Sequence, residues 1–277
     1  MPPQLYLRIP LVWITGASTG IGRALALEMV RRGKTVIASA RSKDKLQTLM
    51  QEAVSYAADR DEHSTERGGR IIPLPLDVTD PKAIQTAIEK IEADYGHIDC
   101  AVLNAGGWDK REAGELTLEG FKATYDLNVF GVVGALEHLI PRMKQRGRGH
   151  IAITGSIAGY GGLPDAYGYT SGKAALINLA ESLAIQLAGH KIKVQIINPG
   201  FVRTPLTQSN PFPMPFLMEP QEAAIRIADG LESCRFEIAF PYRLILPMKF
   251  MRLFPYKIWI GMIRLVTKLV KIRASDS

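Results

Sequence analysis

Three side chains stand at spacings that suit proton transfer. Tyr169 and Lys173 are four residues apart, and Ser156 precedes the tyrosine by thirteen. Residues i and i+4 lie one above the other on a helix face. An ammonium beside a phenol favours the phenolate and pulls its pKa from about 10 toward neutrality. A tyrosine tuned in this way can give a proton to a developing alkoxide or take one from an alcohol. Ser156 would hydrogen-bond a carbonyl oxygen and hold it toward the tyrosine. Tyr167 is no rival, because Ser171 stands four residues after it. A second reactive stretch is Thr15-Gly16-Ala17-Ser18-Thr19-Gly20-Ile21-Gly22, between a strand candidate and a helical one. The free N–H groups and dipole of a helix start favour an anion such as a pyrophosphate, and glycines let the backbone approach it closely.

These residues need elements to hold them. Strands are expected at Leu11–Thr15, Thr35–Ala40, Arg70–Leu76, Asp99–Asn104, His150–Thr154, Lys193–Asn198 and Phe236–Phe240. Several are near-continuous apolar runs, as parallel strands buried on both faces require. Between them, helical periodicity covers Ile21–Arg32, Lys43–Ala57, Pro81–Tyr95, Leu118–Gln145 and Ser171–Ala188, and Asp80-Pro81 is a good helix start. Alternating strands and helices predict an open parallel sheet with right-handed crossovers, an α/β fold. Asp59–Gly69 reads as an exposed loop.

The glycine spacing Gly16-x3-Gly20-x-Gly22 resembles that of the short-chain dehydrogenase/reductase family, and further motifs follow in that family's order. They are Asp77-Val78, Asn104-Ala105-Gly106, Asn128 in Asn128-Val129-Phe130-Gly131, Ser156, the Tyr169–Lys173 pair, and Asn198-Pro199-Gly200-Phe201-Val202-Arg203-Thr204. The resemblance covers roughly residues 10–235. It implies a doubly wound, Rossmann-like sheet of order 3-2-1-4-5-6-7 and the catalytic set Asn128, Ser156, Tyr169 and Lys173, with Asn128 supporting Lys173 through a bound water. It implies a dinucleotide held by Gly16, Ser18, Thr19, Gly20, Ile21 and Gly22, by Asp77 and Val78 at the adenine, and by Asn104, Ala105 and Gly106. Tyr169, Lys173, Pro199, Gly200, Val202 and Thr204 complete that set, Thr204 at the nicotinamide carboxamide.

Cofactor choice turns on the end of the second strand. NAD sites place an acid there for the ribose 2′-hydroxyl. Here the position is Ala40, followed by Arg41, whose guanidinium matches a 2′-phosphate in charge and fork geometry. NADP(H) is therefore favoured over NAD(H), with Lys43 as a weaker helper. On the substrate side, Pro205–Pro220 is rich in proline and apolar residues. Phe201, Phe212, Met214, Phe216 and Leu217 could line an apolar pocket or simply pack on the core. Arg203 is the one candidate charged anchor, and Trp108 borders the site or anchors a loop. Five scattered histidines have no metal-ligand spacing.

Composition sets the remaining bounds. The chain has 277 residues, of which 47% are hydrophobic and 22% charged, ordinary for a globular protein and unlike a disordered chain. Two cysteines exclude a disulfide framework and favour a reducing, cytoplasmic compartment. No apolar run is long enough for an ordinary membrane span, and Leu11–Ile14 is too short for a signal peptide. The net charge of +7 resides in the tail: Ile238–Ser275 holds eight Lys or Arg and no Asp or Glu.

Two regions are expected, a catalytic domain over 1–243 that includes the loop 205–220, and a basic amphipathic helical tail over 244–277. In the tail, Pro247 and Pro255 should interrupt helix. Beyond them, Lys257, Arg264, Lys268 and Lys271 share a face, with Trp259, Met262, Ile263, Val266, Leu269 and Val270 as the apolar remainder. That pattern favours a membrane-surface segment at 256–273 over a helix packed on the body or a partner subunit. Its apolar content argues against nucleic acid. The expected activity is NADP(H)-dependent interconversion of a hydrophobic or lipid-like carbonyl and its alcohol, in a homodimer or homotetramer. The alternatives are a reductase of small soluble carbonyls and a non-catalytic NADP-binding regulator or membrane-associated scaffold; a pure binding module needs none of Asn128, Ser156, Tyr169 and Lys173.

Overall fold

Strand β1 (Leu11–Thr15) is buried along its whole length, and its pleat divides its side chains between two cores. Val12 and Ile14 face one, Leu11 and Trp13 the other, which is how a strand covered by helices on both faces must be built. The computed structural model describes residues 11–58, 69–108, 115–208, 210 and 213–275, with side chains described except at 55–58 and 269–275. The 59–68 part of the expected loop, Phe212 and His63 lie outside the described residues, as do the side chains of Lys271 and Arg273.

The other strands are β2 (Thr35–Ala40), β3 (Arg70–Pro75), β4 (Cys100–Leu103), β5 (Gly149–Thr154), β6 (Ile192–Pro199) and β7 (Glu237–Phe240). All pairings are parallel, in the order β3-β2-β1-β4-β5-β6-β7. One face is covered by α1 (Gly20–Arg31), α2 (Lys43–Ala58) and α7 (Pro220–Glu232), through residues such as Leu25, Leu46 and Ile227. The other is covered by α3 (Pro81–Tyr95), α5 (Gly131–Arg146) and α6 (Tyr167–Leu187), through Ile88, Leu139 and Leu176. Strand order reverses between β1 and β4, so a crevice opens beyond their carboxyl ends, where doubly wound sheets bind ligands.

Three expected elements take a different form. The single helix over 118–145 is three segments: α4 (Leu118–Tyr125), a π-helical stretch Asp126–Phe130, and α5. The Gly131 N–H reaches back five residues to the Asp126 carbonyl, while the Asn128 side chain donates to the Thr124 carbonyl at 2.8 Å. A side chain thus shares the helix's own acceptor ladder, which apolar periodicity does not reveal. Helix α6 starts at Tyr167 and not at Ser171, so Tyr169 belongs to its first turn. Pro247 does not stop the tail: α8 (Tyr242–Met251) passes through it, and Pro255 precedes α9 (Tyr256–Ser275). Pro247 is the sixth of the ten residues of α8 and forfeits one interior N–H bond, in a helix held to the body by buried Ile245.

Candidate active site

The glycine loop fits a phosphate cradle. Gly16 and Gly20 have φ of +69° and +56°, the left-handed region that glycine occupies without strain. A Cβ on Gly16 would come within 2.8 Å of the Ala105 Cα, and one on Gly20 within 2.9 Å of the Thr204 Cγ2. The loop, the Asn104–Gly106 turn and Thr204 are therefore in close approach. Thr19 caps α1 with no side-chain hydrogen bond, so the hydroxyl does not occupy the N–H groups that an anion would take. Ser18 and Thr19 are half-buried beside them, and Ile21 packs on the core.

Asn104 and Thr15 tie the crevice together. The Asn104 and Ala105 N–H groups both donate to Thr15 Oγ1 at 3.0 Å, and Asn104 Nδ2 donates to the Thr15 carbonyl at 3.1 Å. Asp77 Oδ1 accepts from the Thr79 N–H and hydroxyl. The Thr79 backbone bond is the main cause holding this carboxyl below the usual carboxylate range, with Arg41 adding to it across space. Arg41 is exposed at the start of the β2–α2 turn. Val78 lies against Gly131 at the start of α5, where a Cβ would meet the Val78 carbonyl at 2.9 Å. Gly200 extends the β6 ladder by donating to the Phe240 carbonyl at 2.7 Å, just beyond Pro199. Val202 pairs with Met218, closing the base of the loop between them. The residues present thus fit a dinucleotide: a glycine cradle at a helix start, an acid at the end of β3 and a cation beyond β2.

The residues expected to transfer a proton converge at the carboxyl ends of β4 and β5. Ser156 follows β5 and caps a single 3-10 turn, Ile157–Tyr160; its Oγ accepts from the Ala158 N–H at 3.1 Å. That contact uses a lone pair and leaves the hydroxyl proton for donation. The Ser156 side chain hydrogen-bonds Tyr169. Lys173 is 3% exposed, donates to the Thr154 carbonyl at 2.7 Å, and lies 5.7 Å from the Tyr169 ring centroid. Burial lowers its pKa to about 8. Asn128, fully buried, donates to the Gly107 carbonyl at 2.7 Å and accepts from the Gly107 N–H at 3.2 Å. A Cβ on Gly106 would sit 2.8 Å from Asn128 Oδ1 and 3.3 Å from Lys173 Nζ, which puts both groups close to one glycine.

The expected lowering of the Tyr169 pKa is not what this arrangement gives. Burial dominates and pushes the phenol above its ordinary value, with the Ser156 bond pulling the other way. The physical reason is that a half-buried phenolate loses hydration before a lysine, itself poorly solvated, can repay it.

Sequence reasoning overlooked a polar cluster behind the serine. Glu237 accepts from the Tyr160 hydroxyl at 2.5 Å and from Asn198 Nδ2 at 2.7 Å, and it pairs with Lys249 of α8. Burial works to raise Glu237, yet the bonds from Lys249, Tyr160 and Asn198 hold it below the usual carboxylate range. One carboxylate so joins the turn after Ser156, the strand leading to Pro199, and the tail. The only sequence signal for it was a lone acid opening β7.

Phe216 is exposed, and Phe201, Met214 and Leu217 are half-buried. Arg203 pairs with Glu219 at 2.7 Å, so its charge is already matched and it is a poor anchor for a substrate. Trp108 is half-buried, with no hydrogen-bond partner for Nε1. Cys100 and His150 belong to the core; His150 bonds Gln195 at 2.8 Å. Among the described residues no group of three or more His, Cys, Asp or Glu could hold a metal ion.

Residues 10–212 match the short chain dehydrogenase family. An uncharacterized oxidoreductase of Myxococcus xanthus is 37% identical over 242 residues, covering 87% of this chain and 91% of the relative. The 3-oxoacyl-acyl-carrier-protein reductase of Thermotoga maritima is 34% identical over 72% of this chain and 76% of its own. Among solved structures, a short-chain type dehydrogenase/reductase from Mycobacterium marinum superposes with a TM-score of 0.71 at 29% identity, covering 83% of this chain and 91% of that one. An alcohol dehydrogenase from Thermococcus sibiricus complexed with 5-hydroxy-NADP gives 0.69 at 27%, over 83% and 95%. The chain belongs to the short-chain dehydrogenase/reductase family and is an oxidoreductase.

Proposed function

We propose that this protein is an NADP(H)-dependent reductase that converts a hydrophobic ketone or aldehyde to its alcohol. The observation that carries the catalytic part is the Ser156–Tyr169–Lys173 arrangement, with the serine hydroxyl bonded to the phenol and the ammonium beside its ring. The dinucleotide, when bound, supplies a hydride to the carbonyl carbon. Ser156 and Tyr169 hold the carbonyl oxygen, and Tyr169 gives it the phenolic proton as negative charge develops there. Lys173 stabilises the phenolate left behind, held in place by the Thr154 carbonyl; a solvent proton restores the phenol. Asn128 is a positioning residue that fixes the Gly107 backbone, next in the chain to Gly106, which lies close to Lys173.

NADP(H) preference rests on exposed Arg41 and on Ala40 where an acid would select NAD(H). The similar Thermococcus enzyme was solved with an NADP derivative. The proline-rich, apolar loop 205–220 supports a hydrophobic substrate. Family members are often oligomeric, and exposed Phe130, Val133 and Ile185 on or beside α5 and α6 support pairing through those helices. Free Cys100 and Cys234 support a cytoplasmic location.

The test is the ratio of kcat/KM with NADPH and NADH over a series of short- and long-chain ketones, before and after Arg41→Asp. The parent should prefer NADPH and the longer ketones, and the variant should prefer NADH. A parent that prefers NADH overturns the cofactor assignment; equal rates across chain length overturn the substrate assignment.

A further inference from the structure

The tail resolves into two faces with different tasks. One face docks on the body. Ile245 is 2% exposed against Ile157 and Ala239, and Trp259 is 3% exposed and lies over Gly161, where a Cβ would collide with its ring. Lys249 pairs with Glu237, and the Arg252 guanidinium sits 5.4 Å from the Tyr256 and Trp259 ring centroids. The other face is apolar and uncovered. Leu246 and Phe250 stand four residues apart on α8 and so share a face, and Leu253 follows in the turn just after the helix; they are 62%, 61% and 80% exposed. Phe250 packs edge-on against Phe254 at 5.4 Å, which carries the apolar face into the turn before α9. On α9, Ile258 and Leu265 are exposed seven residues apart. Of the 22 large hydrophobic side chains exposed in the described residues, ten fall in 242–266. Solitary exposed hydrophobics are ordinary, but a contiguous set marks an interaction surface.

We propose that this face of α8 and α9 is a docking surface for an anionic lipid bilayer. Charge chooses the occupant. Lys257, Arg264 and Lys268 are exposed on the same helix as Ile258 and Leu265, and no acidic residue occurs from Ile238 to Ser275. A second copy of the chain would bring these cations against their own kind. An anionic headgroup layer neutralises them while the apolar face and aromatic rings enter the acyl boundary. Among the described residues no helix is long and apolar enough to cross a membrane, so the segment lies on the bilayer, held to the body by Trp259 and Ile245. This proposal stands apart from the catalytic one, because binding can be read in a chain with no activity.

The experiment is sedimentation of the full chain with vesicles of phosphatidylcholine alone and of equimolar phosphatidylcholine and phosphatidylserine. The parent should bind the anionic vesicles more tightly, and binding should weaken as salt is added. Lys257→Gln/Arg264→Gln/Lys268→Gln should weaken anionic binding about 100-fold, at roughly fivefold per charge. Phe250→Ser/Leu253→Ser should weaken binding to both vesicle types by a similar factor. Both variants should melt within about 2 °C of the parent, since the changed residues face solvent. Binding to neither vesicle, salt-insensitive binding by the parent, or unchanged binding by the charge variant would overturn the proposal. So would dissociation of an oligomer by the apolar variant with vesicles without effect, which would make a second copy the occupant.

Discussion

The alkaline limb of the proposed reduction should belong to Lys173. Its ammonium is enclosed by protein, with the Thr154 carbonyl at 2.7 Å and the Tyr169 ring centroid at 5.7 Å. Burial lowers the pKa from 10.5 to about 8, equivalent to about 3 kcal/mol of hydration that the carbonyl and ring do not return. Tyr169 moves the other way, above its ordinary 10, because burial outweighs the Ser156 bond. Transfer from the phenol needs Tyr169 protonated and Lys173 charged. With these values kcat/KM is flat near neutrality, falls to half at about pH 8, and then drops tenfold per pH unit. The assay is NADPH oxidation at limiting ketone across this range. Lys173→Arg keeps a charged group at every pH and should be slower but lack the limb near 8. A parent profile flat to about pH 10 would refute the reasoning, because it would assign the limb to the tyrosine and leave the lysine charge without a role in transfer.

Two further outcomes follow from local geometry. Gly16→Ala should weaken NADPH binding by at least about tenfold, since it combines a positive φ, costing about 1–2 kcal/mol, with a Cβ 2.8 Å from the Ala105 backbone. Gly147→Ala, at φ +65° with nothing within 4 Å, should lose only the strain energy and leave calorimetric NADPH affinity unchanged; equal effects of the two would contradict the cradle. Stability should also fall in acid through His150, which burial pushes down to about 3 from 6.5, with Lys193 adding and Gln195 opposing. The unfolded chain then binds the extra proton between these values, so this contribution is complete above pH 6.5 and is lost as pH falls toward 3, at up to about 1.4 kcal/mol per pH unit. His150→Gln should flatten that slope in urea melts; an unchanged slope would place the titration elsewhere.

The sequence revealed the sheet because its strands are buried on both faces, and continuous apolar runs between glycine-bearing turns leave little freedom of assignment. Strands β1 and β2 and helix α3 begin and end at the residues read from the sequence. The π-helical stretch at Asn128 was not legible, since it depends on one side chain choosing the Thr124 carbonyl. The start of α6 was misplaced because Gly168 and Tyr169 are weak helix formers, and packing beneath Ser156 overrides that preference. The direction of the Tyr169 shift depends on burial, a property of the folded surroundings that spacing along the chain does not carry. The tail posed a choice between packing and exposure, and the structure contains both: Trp259 against Gly161 on one side, Phe250 and Leu253 in solvent on the other.

The most direct test of the proposed chemistry is Tyr169→Phe, examined with two readouts on the same preparation. The substitution removes the phenolic proton and keeps the ring. Single-turnover NADPH oxidation with the best ketone of the series should slow by at least about 10³-fold, while NADPH affinity measured by calorimetry stays within about threefold of the parent, the phosphate cradle being untouched. A variant that retains most of its turnover would contradict the account, because the proton would then come from some group other than Tyr169.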